Sequence, residues 1–195
     1  MTNRQWKQKD NSMLSAKVQL RKRNLPKGAM VCDLFCGSGK IYDRVYKGKV
    51  DGYIGVDHEK VHSPELCRLG DNVVFVQKTD LSQFNVFDLD DYGTPWKLMY
   101  LICRDKPVGG MTMFVTDGLV CRQKMTGIVS KFVSATEHIP VGMNIPCIIR
   151  WYPDIFGTML KDLRRRYGWK TIEAKYFRNQ AHTVYYWALK MRKAA

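Results

Sequence analysis

The sequence lacks long apolar runs. No stretch of its 195 residues approaches the roughly 18 consecutive apolar residues of a membrane-spanning helix. Met1 to Leu20 is polar and basic, without the apolar centre of a secretory leader, so none is expected. Its six cysteines, Cys32, Cys36, Cys67, Cys103, Cys121 and Cys147, form no C-x-x-C units, and three fall in apolar segments. Zinc ribbons and disulfide scaffolds are thereby excluded, and reduced, mostly buried thiols in a cytoplasmic protein are expected. A G-x-G-x-x-G dinucleotide turn would need glycine at 42, where Tyr42 stands, and no P-loop occurs. Internal repeats and low-complexity linkers are absent. What is present is a 45% apolar, 12% aromatic chain, which excludes extended disorder.

Acidic residues are also scarce, 18 against 32 Lys and Arg, for a formal net charge of +14. The excess sits at the two ends. Residues 1–28 hold 8 basic and 1 acidic side chains, residues 160–195 hold 10 and 2, and the middle is close to neutral. A neutral body with basic ends points to a polyanion, most simply nucleic acid, with no membrane partner required. Arg21, Lys22 and Arg23 near one end, and Arg164, Arg165 and Arg166 near the other, are the candidate phosphate contacts. The organisation reads as a basic, partly helical segment over 1–28 and a single domain over 29–195.

Apolar patterning predicts a helix over 11–23, with Met13, Leu14, Val18 and Leu20 as its stripe, ended by Pro26 and Gly28. Strands are predicted at 30–35, 52–56, 73–76, 86–90 and 111–115, with helices at 40–46, 95–103 and 118–133. A helix starting at Pro153 carries Ile155, Phe156, Met159, Leu160, Leu163 and Tyr167 on one face. Strands at 170–177 and 183–191 then form an antiparallel pair. This alternation predicts an α/β sandwich with a mostly parallel sheet, whose ligands bind beyond the carboxyl ends of the strands.

Asp33-Leu-Phe-Cys-Gly-Ser-Gly39 follows the first strand and opens a helix, and Gly37 and Gly39 permit a tight turn and close approach to a ligand. Asp57 ends the second strand, where a carboxylate has lone pairs for both hydroxyls of a ribose. Asp80 follows the third predicted strand as an acceptor for an adenine amino group. Asp33 to Gly39, with Ile54-Gly-Val-Asp57 after it, resembles motifs I and II of class I S-adenosylmethionine-dependent methyltransferases. The resemblance covers roughly 30–191, including the final helix and hairpin. It implies the Rossmann-like class I fold, a seven-stranded sheet with an antiparallel strand near its C-terminal end, and S-adenosyl-L-methionine as cofactor. It places the turn of Phe35, Cys36, Gly37, Ser38 and Gly39 at the methionine part, Asp57 at the ribose and Asp80 at the adenine edge, and it implies Asp33, His58 and Asp90 as further cofactor-binding residues.

The fourth strand runs into Phe87-Asp-Leu-Asp-Asp-Tyr-Gly-Thr-Pro95. A carboxylate accepting a proton of a base amine sharpens the nitrogen lone pair, and a flat aromatic clamps the base. Asp90 and Tyr92 supply both, and Asp91 adds a second acceptor. Gly93, Thr94 and Pro95 complete the substrate side. The segment is similar to the D-x-D-P-[FY]-G-[ST]-P motif of tRNA guanine-N2 dimethyltransferases. Asp91 stands where that family has proline, and the additional C-terminal domain with which those enzymes engage tRNA is missing. The resemblance therefore implies methylation of a base amine, with RNA preferred to DNA. The [DNS]-P-P-[YFW] tetrad of amine methylases is absent, and so is room for a DNA target-recognition region. Two alternatives stay open: a DNA methyltransferase, and a non-catalytic cofactor- or RNA-binding module, or partner subunit, with the same fold.

His58-Glu-Lys-Val-His62 matches the zinc-protease pattern H-E-x-x-H, but Pro64 limits the helix to little more than a turn and no third ligand follows at a familiar spacing, so no metal is expected. Asp117-Gly118 reads either as a site residue or as a cap and turn. Tyr185-Tyr-Trp187 reads as core.

Overall fold

The computed structural model describes residues 13–58, 67–91, 93–107, 109–121 and 143–193. Seven strands form one sheet: β1 (Met30–Asp33), β2 (Gly52–Asp57), β3 (Cys67–Leu69), β4 (Val86–Leu89), β5 (Gly109–Asp117), β6 (Trp169–Arg178) and β7 (Tyr185–Lys193). Their order is β3-β2-β1-β4-β5-β7-β6. β1 to β5 pair in parallel, and β7 is antiparallel to both β5 and β6. Helix α1 (Leu14–Asn24) covers one face, and α2 (Asn72–Lys78), α3 (Trp96–Asp105) and α4 (Ile145–Tyr167) form the other layer. Each face has its own apolar core. Phe87, Leu89, Trp96, Met113, Phe156 and Trp187 belong to the larger one, and Val18, Val31, Tyr46, Val86 and Phe114 to the smaller. Among the described residues no helix is long and apolar enough to cross a membrane.

Three predicted elements differ. The segment 73–76, read as a strand, lies in helix α2. Its buried residues are Asn72 and Val76, one helical turn apart, and Asp71 caps it by accepting from the Val74 N–H at 2.8 Å. Four consecutive apolar residues carry no periodicity, so position in the fold decides. The third strand is instead Cys67–Leu69, paired with Gly55–Asp57 of β2. Helix α4 begins at Ile145 rather than Pro153, with Asn144 as cap and Pro146 in its first turn. Pro153 is tolerated inside because the carbonyl it leaves without an N–H, that of Ile149, accepts from the Tyr185 hydroxyl at 3.4 Å. The helix predicted over 40–46 is a π-helical turn, Tyr42–Tyr46. Of the helix predicted over 118–133, the part beyond Cys121 lies outside the described residues.

Helix α1 keeps part of the predicted apolar stripe, with Val18 buried and Leu14 and Leu20 packed partly buried against the smaller core, but polar residues share its buried face. Its buried face is Lys17, Val18, Arg21 and Asn24. Arg21 donates from Nε and Nη2 to the two carboxylate oxygens of Asp88, at 2.6 Å each, and both side chains are 1% exposed. The Tyr46 hydroxyl donates to the same carboxylate at 2.5 Å. On the opposite face, Asp117 at the end of β5 accepts from the Tyr152 hydroxyl of α4 at 2.6 Å and from the Leu119 N–H at 2.8 Å. Burial pushes the Asp117 carboxyl up to about 6, although both hydrogen bonds oppose the shift.

Two outcomes follow for stability. Arg21→Met leaves Asp88 buried beside the Tyr46 hydroxyl alone, and should cost about 3–5 kcal/mol in urea unfolding. Pairing it with Asp88→Leu should recover most of that loss, because the uncompensated charge is gone. Asp117 binds its proton more tightly in the native than in the unfolded chain, so its stabilisation is complete below about pH 4 and is lost as pH rises through about 6. Asp117→Asn should remove that slope. The wild type should lose up to about 3 kcal/mol relative to the variant between pH 4 and pH 7.5 in urea midpoints.

Candidate active site

The carboxyl ends of β1 to β5 bring the predicted turns together. After β1, Gly37 and Gly39 take φ values of +49° and +74°, a region L side chains rarely adopt. Nothing lies within 4 Å of where a Cβ on Gly39 would sit, so the turn is open on that side. The Gly37 N–H donates to Asp57 Oδ2 at 2.9 Å, and the Gly39 N–H donates to the Cys36 carbonyl at 2.9 Å. Asp57 thus fixes the glycine turn with one oxygen, and its Oδ1 lies 3.4 Å from Nδ1 of the exposed His58. Phe35 and Ser38 are half-buried along the turn.

Asp33 and Cys36 act from inside. Asp33 accepts from the Phe35 N–H at 3.1 Å and from the Tyr53 hydroxyl at 2.9 Å, and is 2% exposed. Burial pushes its carboxyl well above the usual range, with the neighbouring Asp88 adding to the shift. The Cys36 side chain packs against Gly55, where a Cβ would stand only 2.8 Å from it. Both residues shape the turn and present little surface to a ligand.

Asp80 does not belong to this site. It follows α2, not a strand, and precedes β4, which puts it at the opposite end of the sheet. Its carboxylate caps a short 3-10 turn through the N–H and hydroxyl of Ser82, which hold it below the usual range. The residues after the true third strand are Gly70, Asp71 and Asn72. The Gly70 N–H donates to the Asp57 carbonyl at 2.8 Å, placing this turn beside Asp57. Asn72 is buried, and its Oδ1 has no hydrogen-bond donor among the described residues. The signal was legible in Leu69-Gly-Asp-Asn72, an acid just past a strand as in Val56-Asp57, but the misread third strand hid it.

After β4, Asp90 is held from two elements. Lys17 Nζ lies 2.5 Å and Thr116 Oγ1 2.6 Å from its Oδ1, and Arg21 Nη2 lies 3.7 Å from its Oδ2. Burial alone would raise this carboxyl, but Arg21 and Lys17 outweigh it and hold the group below the usual range. Asp91 is half-buried on the side of Asp117. The Gly93 carbonyl accepts from the Gly118 N–H at 2.8 Å, tying the turn to the end of β5. Thr94 is half-buried, and Pro95 starts α3 with its carbonyl accepting from the Met99 N–H at 3.0 Å. Tyr92 and the H-E-x-x-H segment beyond His58 lie outside the described residues.

The basic candidates divide. Arg21 is buried against Asp88 and has no surface for a phosphate, whereas Lys22 and Arg23 are exposed. Arg164, Arg165 and Arg166 end α4 just before β6 begins, at the amino end of the parallel strands and away from the site. Arg165 and Arg166 also pair with Asp162 at 2.7 and 2.6 Å. Arg178, at the carboxyl end of β6, lies at the same end of the sheet as the site and is exposed. Charge runs in sequence do not report which end of a helix meets the active edge.

No protein-family model and no curated protein matches this chain. Solved structures do. The N-methyltransferase NodS from Bradyrhizobium japonicum WM9, in complex with S-adenosyl-l-homocysteine, aligns with a TM-score of 0.59 at 11% identity, over 100% of this chain and 94% of that one. A protein described as a hemolysin from Streptococcus thermophilus aligns at 0.58 and 12% identity, over 99% and 70%. Trm5b from Pyrococcus abyssi aligns at 0.53 and 14% identity over 92% of this chain, which spans 48% of that enzyme. What this chain has in common with them is the fold, the seven-stranded sheet of the class I methyltransferases with its antiparallel C-terminal strand pair.

Proposed function

We propose that the protein is an S-adenosylmethionine-dependent methyltransferase acting on an amine of a nucleic-acid base, in RNA rather than DNA, with guanine N2 of a tRNA-like substrate favoured by the Asp88 to Pro95 resemblance. The observation that carries this reading is the clustering, at the carboxyl ends of adjacent strands, of the open glycine turn, the Asp57 carboxylate bonded to it and the ionised Asp90. NodS, which shares the fold, binds S-adenosyl-l-homocysteine, and Trm5b shares it as well.

The residues present fit that cofactor. The turn is open at Gly39, and Asp57 is an acceptor suited to ribose hydroxyls. The cofactor, when bound, supplies an electrophilic methyl on a sulfonium. Asp90 accepts a hydrogen bond from the substrate amine and orients the nitrogen lone pair for in-line attack. Through that hydrogen bond Asp90 would hold the nitrogen toward the methyl that the bound cofactor would supply. Because Asp90 is held below the usual carboxylate range, it stays ionised throughout and the proton is finally lost to water. Exposed Arg178, at the same end of the sheet as the site, is among the cations available to track a phosphate backbone, whereas exposed Lys22 and Arg23 lie farther along α1, toward the amino ends of the strands.

Transfer of labelled methyl from S-adenosylmethionine to separate pools of unmodified tRNA, ribosomal RNA and DNA tests the reading. Label in an RNA pool is expected. Cofactor binding with no label in any pool would replace this reading with that of a non-catalytic module, which Asp91 in place of proline favours. Asp90→Ala should lower transfer by about 10²-fold or more while cofactor affinity, read by calorimetry, stays within a few-fold. Asp57→Ala should weaken cofactor binding by at least about tenfold, and Asp80→Ala should leave it unchanged.

A further inference from the structure

Lys17 lies outside every motif in the sequence, yet its ammonium is buried at the centre of the site. Its side chain is 7% exposed, reaches Asp90 Oδ1 at 2.5 Å and lies 5.2 Å from the centroid of the Tyr186 ring. Burying a lysine is costly, and Arg21 with Asp88 already anchors the helix. Two consequences follow from the geometry. Lys17 and Thr116 both donate to Oδ1, so the plane of the carboxylate is set; among the described residues Oδ2 faces Arg21 alone, at 3.7 Å, which makes it the oxygen left to accept from a ligand. In addition, Lys17 and Arg21 balance Asp88 and Asp90, so the cluster carries no net charge. Asp33, the acid next to Asp88, is turned instead to the Phe35 N–H and the Tyr53 hydroxyl.

We propose that Lys17 is a positioning and specificity-determining residue: by filling Oδ1 and neutralising Asp90, it makes Oδ2 an acceptor for an uncharged amine, as on a nucleic-acid base, and removes the attraction for an alkylammonium such as a lysine side chain. This rests on the methyltransferase reading and names the substrate class of the same site. A lone carboxylate attracts a cation most strongly, whereas a carboxylate already paired offers hydrogen-bond geometry without net field.

The test is carboxyl-detected NMR of Asp90 in the full chain saturated with S-adenosylhomocysteine, for the wild type, Lys17→Met and Lys17→Gln. Guanosine and n-butylammonium serve as probes. In the wild type, guanosine should shift the Asp90 signal and n-butylammonium should not. In a folded variant, n-butylammonium should shift it, with affinity raised at least about tenfold, and the Asp90 titration should move up by one unit or more. A merely structural role for Lys17 would move stability and neither of these. The proposal is overturned if n-butylammonium perturbs the wild type as strongly as guanosine does, if neither probe perturbs it, or if Asp90 titrates unchanged in both variants. Failure of the methyltransferase reading shows separately, as the absence of labelled methyl in every nucleic-acid pool.

Discussion

A carboxylate near the middle of a parallel sheet has to be met by a cation or it cannot stay ionised, and Asp88 is met by Arg21. This buried, bidentate pair sets the rotation and height of α1 on the sheet. Apolar packing of Leu14, Val18 and Leu20 adds to it, but the fully buried positions of α1 are two cations and an asparagine beside a single valine. Tyr46 completes the anchor by donating to the same carboxylate, so the π-helical turn after the glycine turn is tied to the same point. One helical turn above Arg21, Lys17 then falls on Asp90. The chemistry at the strand end is therefore fixed by a structural ion pair below it.

β5 serves both faces of the sheet at this end. Thr116 points to the α1 side and bonds Asp90, while Asp117 points to the other side and bonds Tyr152 of α4. The next residue, Gly118, holds the Gly93 carbonyl. The turn after β4 is thus held from α1, from β5 and, through Tyr152, from α4. The described residues of this turn are fixed from several sides, which suits a group that must present one oxygen in one direction.

The parallel strands, the glycine turn and the acid closing β2 were legible because each has a local signature: a short apolar run, a residue pair that tolerates positive φ, an acid at a strand end. The α2 segment was not legible. Val73 to Val76 favours a strand by composition, and only the Asp71 cap and the pairing of Cys67–Leu69 with β2 decide otherwise. That error put Asp80 near the site in place of the turn after β3, whose Gly70 N–H bonds the Asp57 carbonyl. Pro153 misled in the same way, since a proline reads as a helix start unless a distant hydroxyl, here that of Tyr185, takes the carbonyl it leaves unbonded.

Sequence alone determined the fold class, the glycine turn with Asp57, and Asp90 as the acid beyond β4, because each depends on residues within a few positions of one another. Tertiary structure alone decided which charges face inward. Lys17 and Arg21 lie 73 and 67 residues from the acids they bind, and nothing in their neighbourhood distinguishes them from exposed Lys22 and Arg23. Whether a cation is solvated or buried depends on which carboxylate the fold brings opposite it. Desolvation penalises every partner but the right one, and the sequence does not state that pairing.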